Sequence, residues 1–214
     1  MKIGVLGTGD VGKHLGDGFI ALGHDVMMGS RSATNEKALA WKETAGAKAS
    51  VGTFAAAAQF GETIALATLG VATLDILKSA GPENFKGKIV LDATNPLDFS
   101  GGMPPKLSVG HTDSLGEQIQ RTVKDAHVIK CFNTVGSGLM FRPNLPGGPP
   151  DMFICGNNAD AKKRVAALLK DFGWGTIDSG GIESSRYLEP MCMTWVLHGV
   201  MTNSWTHAFK MLHG

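Results

Sequence analysis

The sequence predicts an α/β protein: a doubly wound, mainly parallel sheet followed by a short C-terminal helical appendage. Three observations predict it. Short apolar runs alternate with segments of helical periodicity along most of the chain, the pattern of repeated β/α units. A glycine-rich turn, Gly7-Thr8-Gly9-Asp10-Val11-Gly12, stands between the first apolar run and the first helical segment. The run from Thr63 to Leu69 is almost unbroken in apolar character, as expected of a strand covered on both faces.

The elements follow in order. Lys2 to Leu6 is the first strand, and a helix from Val11 to Leu22 is closed by Gly23, a good C-cap residue. Asp25 to Met28 is the second strand, Asn35 to Thr44 a helix, and Ala47 to Ser50 a short third strand. Thr63 to Leu69 and Lys88 to Ala93 are the fourth and fifth strands, with a helix from Val71 to Ser79 between them. Ser114 and Glu117 stand at capping-box spacing before a helix that reaches Lys124. His127 to Phe132 is the next strand. The proline-rich stretch from Arg142 to Pro150 is a loop. Asp151 to Cys155 is a strand, Ala159 to Asp171 a helix capped by Asn157 or Asn158, and Gly175 to Asp178 a last strand. From Ser184 to His213 the pattern is helical, with Pro190 bending or restarting it. Residues 1–180 form the expected Rossmann-type domain and 181–214 the appendage. In the appendage Leu188, Met191, Cys192, Trp195 and Gly199 share one helical face, with Trp205 and Phe209 beyond. That face packs on the main domain, covers a second substrate or meets another subunit.

Composition narrows the function classes. The chain has 214 residues, 43% of them hydrophobic, enough for a sizeable core. Its net charge is +1 and it has no long basic run, which argues against nucleic acid or a membrane surface as a partner. Cys131, Cys155 and Cys192 are far apart and form no C-x-x-C pair, so they read as reduced thiols of a cytoplasmic protein. Neither a signal peptide nor a membrane span is expected.

Gly7 to Gly12 fits G-x-G-x-x-G. In that fingerprint the first glycine permits the tight turn, the second admits a pyrophosphate to the backbone amides, and the third lets helix and strand pack closely. The amides and positive end of the helix attract the anion. A plain β-to-α turn is the alternative, disfavoured by the strand-turn-helix context. The second strand then ends Met28-Gly29-Ser30-Arg31-Ser32, without the carboxylate that usually holds the ribose hydroxyls of NAD. Here Gly29 leaves room for a phosphate, Ser30 can donate to it and Arg31 can form paired charge-assisted bonds with it. The cofactor expected is therefore NADP(H), unless Arg31 is merely a solvated surface residue.

Ligands of open α/β sheets bind outside the carboxyl ends of the strands. That rule selects Thr68, Leu69 and Gly70 after the fourth strand, Asn95 and Pro96 after the fifth, and Asn133 and Thr134 after the sixth, around the nicotinamide half of the cofactor. Each of the Asn and Thr residues can instead satisfy a local turn. No catalytic residue and no metal ligand is assigned. A Tyr-x-x-x-Lys pair is missing, because Met191 stands four residues after Tyr187, the only tyrosine. His14, His24, His111, His127, His198, His207 and His213 are scattered, without ligand spacing. Hydride exchange with a flavin-like ring needs no strong acid–base pair, since the cofactors carry the chemistry.

These motifs resemble the deazaflavin-dependent (coenzyme F420-type) NADP oxidoreductase family, and are similar also to the NADPH-binding domain of six-transmembrane ferric reductases. The resemblance rests on Gly7 to Gly12, on Gly29-Ser30-Arg31, on Phe153-Ile154-Cys155-Gly156-Asn157-Asn158, and on Ile177-Asp178-Ser179-Gly180 followed by Ser184-Ser185-Arg186. It implies that Thr8 to Val11 hold the pyrophosphate and that Ser30 and Arg31 hold the 2′-phosphate. It also implies hydride exchange between NADPH and a deazaflavin or flavin acceptor in a homodimer. A non-catalytic NADP(H) sensor, or a reductase of a small carbonyl or imine substrate, is the competing reading.

Overall fold

The computed structural model describes residues 1–212. In chain order its elements are β1 (Lys2–Leu6), α1 (Asp10–Ala21), β2 (Asp25–Ser30), α2 (Glu36–Ala45), β3 (Ala49–Thr53), α3 (Phe54–Phe60), β4 (Thr63–Leu66), α4 (Gly70–Ala80) and β5 (Ile89–Asp92). Then come β6 (Leu97–Asp98), β7 (Lys106–Leu107), α5 (Leu115–Thr122), β8 (His127–Lys130), β9 (Asp151–Ile154), α6 (Ala159–Asp171), β10 (Gly175–Asp178) and α7 (Ser185–Thr202).

Six strands form one parallel sheet in the order β3-β2-β1-β4-β5-β8. The sequence therefore winds outward one way from β1, then reverses and winds out the other way from β4, the doubly wound Rossmann order. The parallel pair β9–β10 continues beyond β8 through an antiparallel bridge between Lys130 and Cys155.

Period-two alternation divides the core. Ile3, Val5, Ala65, Ile89, Leu91 and Ile129 face one side of the sheet, where α1, α2 and α6 bring Leu15, Phe19, Trp41 and Leu169. Leu6, Ile64, Leu66, Val90 and Val128 face the other, against Phe54, Ala57, Leu77 and Ile119 from α3, α4 and α5. Caps fix several helix starts: Asn35, Ser114 and Asn158 accept the amides of Ala38, Glu117 and Ala161.

Some boundaries differ from the sequence expectation. The second strand runs on through Gly29 and Ser30, and the third lies at Ala49–Thr53 rather than Ala47 to Ser50. It leads directly into α3, an alanine-rich helix the periodicity did not reveal. The fourth strand stops at Leu66, not Leu69. The sixth stops at Lys130, two residues early, because Phe132 adopts a left-handed conformation with φ 61°. The glutamate of the capping box does not return to the backbone of Ser114. Glu117 accepts the Ser114 hydroxyl at 2.7 Å and the guanidinium of Arg186 instead.

The appendage is one helix followed by an irregular tail. Pro190 lies inside α7 without ending it, and Asn203 in a left-handed conformation closes it after Thr202. The helical expectation for 203–212 is thus corrected, and His213 lies outside the described residues. The tail folds back, with Trp195 Nε1 donating to His207 O at 2.9 Å and Asp151 N to Phe209 O at 2.9 Å. Leu188, Cys192 and Trp195 are buried. No helix among the described residues is long and apolar enough to cross a membrane.

Candidate functional site

The strand order reverses between β1 and β4, and the loops that leave their carboxyl ends lead to helices on opposite faces of the sheet, the switch point at which open α/β sheets bind ligands in a crevice. Gly7 turns sharply with φ 126°, a value that disfavours any side chain. A Cβ on Gly7 would overlap the carbonyl of Ala67, and one on Gly12 the carbonyl of Gly7, so both glycines allow close packing. Gly9 differs: a Cβ there would meet nothing, so its backbone faces open space. Gly9 is also the N-cap of α1 and provides no side-chain cap. The first helical bond runs from Lys13 N to Gly9 O, which leaves the amides of Asp10, Val11 and Gly12 without an intrahelical acceptor. A half-buried Thr8, an exposed Gly9 and a row of free amides at a helix start make a cradle that fits a pyrophosphate.

At the end of β2, Ser30 is buried and Arg31 exposed. Arg31 has no ion-pair partner among the described residues, so its guanidinium is available to an anion. The Ser30 hydroxyl donates to Ser32 O at 2.5 Å and accepts Ser32 N at 3.2 Å, which shapes the turn that presents Arg31. Gly29 has a different role from the one expected. A Cβ there would collide with Ala57 and crowd Leu6 and Phe54, so the missing side chain makes room for α3, not for a phosphate.

The distal loops lie against one another. A Cβ on Gly70 would overlap the Asn95 carbonyl, so the start of α4 sits directly on the Asn95–Pro96 segment. The Asn95 amide donates to Asn133 O at 2.8 Å, and Asn133 returns a bond to Asn95 Oδ1 at 3.0 Å. Asn133 also donates to Leu188 O on α7 at 2.8 Å, while its buried Oδ1 has no partner among the described residues. Thr134 is buried, Thr68 bonds Thr73 through the hydroxyls at 2.7 Å, and Leu69 is 74% exposed. The left-handed Phe132 turns the chain so that Asn133 reaches Asn95. Beside these loops lies a cleft of about 280 Å³ bounded by Gly70, Val71, Leu74, Pro96, Ser108 and Val109. A larger depression of about 440 Å³ adjoins His127 and Asn158, at the amino end of β8. It lies at the wrong edge of the sheet for a cofactor crevice.

Sequence reasoning missed the buried charges beneath the crevice. Asp92 ends β5 and Lys130 ends β8, and both are fully buried. Lys130 Nζ lies 2.7 Å from Asp92 and 3.1 Å from Glu189 of α7, and donates to Thr94 O at 2.9 Å. Asp92 also accepts the amide and hydroxyl of Thr94 at 2.9 and 2.6 Å. Glu189 accepts the Leu115 and Gly116 amides at the start of α5, at 3.0 and 2.9 Å. Burial acts to discharge Lys130, but Asp92 and Glu189 outweigh it and hold the ammonium above the usual lysine range. Burial pushes the Glu189 carboxyl up, against Lys130 and the two amides. The available signal was a polar residue closing each of two apolar strand runs. Its partner Glu189, far along the chain, carried no local signature.

The comparisons with known proteins bear on this site. Residues 2–96 match the model of the family described as NADP oxidoreductase coenzyme F420-dependent. The F420-dependent NADP reductase of Methanocaldococcus jannaschii is 31% identical over 199 residues, covering 88% of each chain. The metalloreductase STEAP3 of Rattus norvegicus is 27% identical over 194 residues; the match spans 88% of this chain but only 36% of that protein. A crystal structure of a candidate F420-dependent NADP reductase from Arthrobacter sp. FB24 superimposes over the full length of both chains, with a TM-score of 0.94 and 40% identity.

Proposed function

The chain belongs to the F420-dependent NADP reductase family, whose members are NADP-dependent oxidoreductases, and from that premise we propose that it exchanges a hydride between NADP(H) and a deazaflavin or flavin-like acceptor. The observation that carries the cofactor reading is the pairing of an open Gly9 cradle at the start of α1 with a solvent-facing Arg31 at the end of β2, which has no ion-pair partner among the described residues. In this reading Gly7 to Gly12 hold the pyrophosphate, and Ser30 and Arg31 the 2′-phosphate. Residues 1–180 carry the cofactor, while α7 braces the distal loops through Leu188 and Glu189. Thr68, Leu69, Gly70, Asn95, Pro96, Asn133 and Thr134 enclose the nicotinamide, which supplies the hydride when bound. Asn95 and Asn133 hold each other, so their loops keep a fixed spacing at the ring. Exposed Leu69 and Val71 and the cleft beside them offer a face for the flat ring of an acceptor. The exposed Leu197, Val200 and Met201 of α7 support a homodimer contact through that helix.

The test is NADPH consumption by the purified protein with oxidised deazaflavin coenzyme, beside FMN, FAD, a ferric chelate and a control without acceptor. Rapid deazaflavin reduction, much slower with NADH, supports both the acceptor and the phosphate site. Turnover with the ferric chelate alone moves the acceptor toward that of the STEAP-like relatives. No turnover with any acceptor, alongside tight NADPH binding, refutes the hydride-exchange reading and favours a sensor.

A further inference from the structure

The cluster beneath the crevice is unbalanced. One buried cation, Lys130, faces two buried carboxylates, Asp92 and Glu189. The other titratable neighbours do not correct this. Burial holds the thiols of Cys131, Cys155 and Cys192 protonated, the last two pushed up to about 11. Glu117 and Arg186, flanking on α5 and α7, are paired with each other. The start of α5 contributes a partial positive charge through the amides of Leu115 and Gly116, roughly half a unit, which leaves a negative remainder. Asp92 and Lys130 both bond Thr94, and Glu189 follows Leu188, whose carbonyl accepts the Asn133 amide.

We propose that Glu189 is an electrostatic positioning residue of the redox reaction: its carboxylate makes the floor of the crevice negative, and so favours the oxidised nicotinamide over the reduced one. The inference rests on the NADP(H) reading, with the nicotinamide above these loops. When a hydride leaves the reduced ring with its two electrons for a flavin-like acceptor, the ring changes from neutral to cationic. A fixed negative charge nearby therefore binds the cationic form more tightly and promotes hydride donation. Asp92 is matched by Lys130. The surplus belongs to Glu189, which reaches the cluster from α7 and ties the C-terminal helix to the cofactor edge.

The substitution Glu189→Gln tests this cleanly. It leaves a balanced Lys130–Asp92 pair, and its side-chain oxygen can still accept an amide of α5, so the fold is expected to survive. Dissociation constants for NADP+ and NADPH are measured by titration calorimetry on both proteins. The ratio favouring NADP+ is expected to fall roughly tenfold in the variant, the scale of a unit charge acting across ~10 Å at an effective dielectric near 20. An unchanged ratio overturns the proposal. If the wild-type protein binds neither nucleotide, the cofactor reading falls first and takes the inference with it. If the variant does not fold, the wild-type protein decides the matter alone. Burial raises the Glu189 pKa, and the carboxylate charge is present above that pKa and lost as pH falls through it, so the preference for NADP+ must decline as pH falls. A pH-independent ratio refutes the role of Glu189.

Discussion

Replacing Arg31 with alanine isolates the phosphate reading, because Arg31 is exposed and holds nothing else in place. It forms no ion pair among the described residues, and the turn that presents it is fixed by Ser30 and Ser32. Its loss should leave the melting temperature within a degree or two, as for surface substitutions away from buried features. A hydrogen bond to a charged group contributes about 1.5–3 kcal/mol net. Solvent exposure places Arg31 at the low end, so NADPH affinity should drop about tenfold, each factor of ten being ~1.4 kcal/mol. NADH lacks the 2′-phosphate and should lose almost nothing. Arg31→Lys should fall between, since lysine keeps the charge without the paired geometry. The assay is titration of both cofactors against wild type and variants, repeated at two salt concentrations. Added salt should weaken NADPH more than NADH in the wild type, and this difference should shrink in Arg31→Ala. Equal losses of NADPH and NADH affinity would refute the assignment, and so would no loss of either.

Three further perturbations probe other parts of the molecule. Arg121 draws the Asp113 carboxyl down to about 2, and Arg186 likewise lowers Glu117. These carboxylates are therefore worth most to stability above the ordinary carboxylate range, and that contribution is lost as pH falls toward 2; Arg186→Met should flatten the acid limb of a melting-temperature profile, and an unaltered limb counts against the Glu117 pair. Phe172 packs edge-on to Phe19 and Phe141, at 5.1 and 5.2 Å between ring centres, and is fully buried. Phe172→Ala should cost about 3–5 kcal/mol in urea denaturation, and a loss under ~1 kcal/mol would contradict that packing. Gly70→Ala drives a methyl group into the Asn95 carbonyl, so it should destabilise by about 1–3 kcal/mol and weaken nucleotide binding; a fully stable, tight-binding variant would mean that α4 and the Asn95 loop are not in contact.

The sequence announced the sheet because its strands obey simple local rules. Ile3 and Val5 alternate with Gly4 and Leu6, Val90 alternates with Ile89 and Leu91, and each parity finds its own face of the core. The phosphate turn was equally legible, since Gly7, Gly9 and Gly12 have distinct steric duties at fixed spacing. Helix α3 escaped notice because Phe54-Ala-Ala-Ala-Ala-Gln-Phe60 is short and its alanines give little amphipathic contrast. Without α3 above β2, the sequence alone points Gly29 toward the ligand, whereas Ala57 of α3 fills the space. The ends of β4 and β8 were overrun for a related reason. An apolar residue such as Phe132 remains buried after the strand hydrogen bonding stops, so hydropathy cannot mark where pairing ends.

The charged floor of the crevice was illegible for a deeper reason. A lysine closing an apolar strand can be read as a strand end meeting water, and Lys130 in His127 to Phe132 gives no sign that it is fully buried. What makes its burial tolerable is the simultaneous arrival of Asp92 and the Thr94 carbonyl from the end of β5 and of Glu189 from α7, two segments far apart in the chain. Removing any one of these partners exposes the cost that the others share, which no periodicity can express. The same geometry explains why α7 cannot be treated as a detachable tail. Glu189 binds Lys130 and the start of α5, and Leu188 O receives Asn133, so the helix grips both sides of the distal loops. A deletion that removes α7 should therefore uncover the Lys130–Asp92 pair, leave the Leu115 and Gly116 amides without their acceptor, release Asn133 and abolish nucleotide binding together with stability. The subtler Glu189→Gln exchange separates the electrostatic contribution of this helix from its structural one.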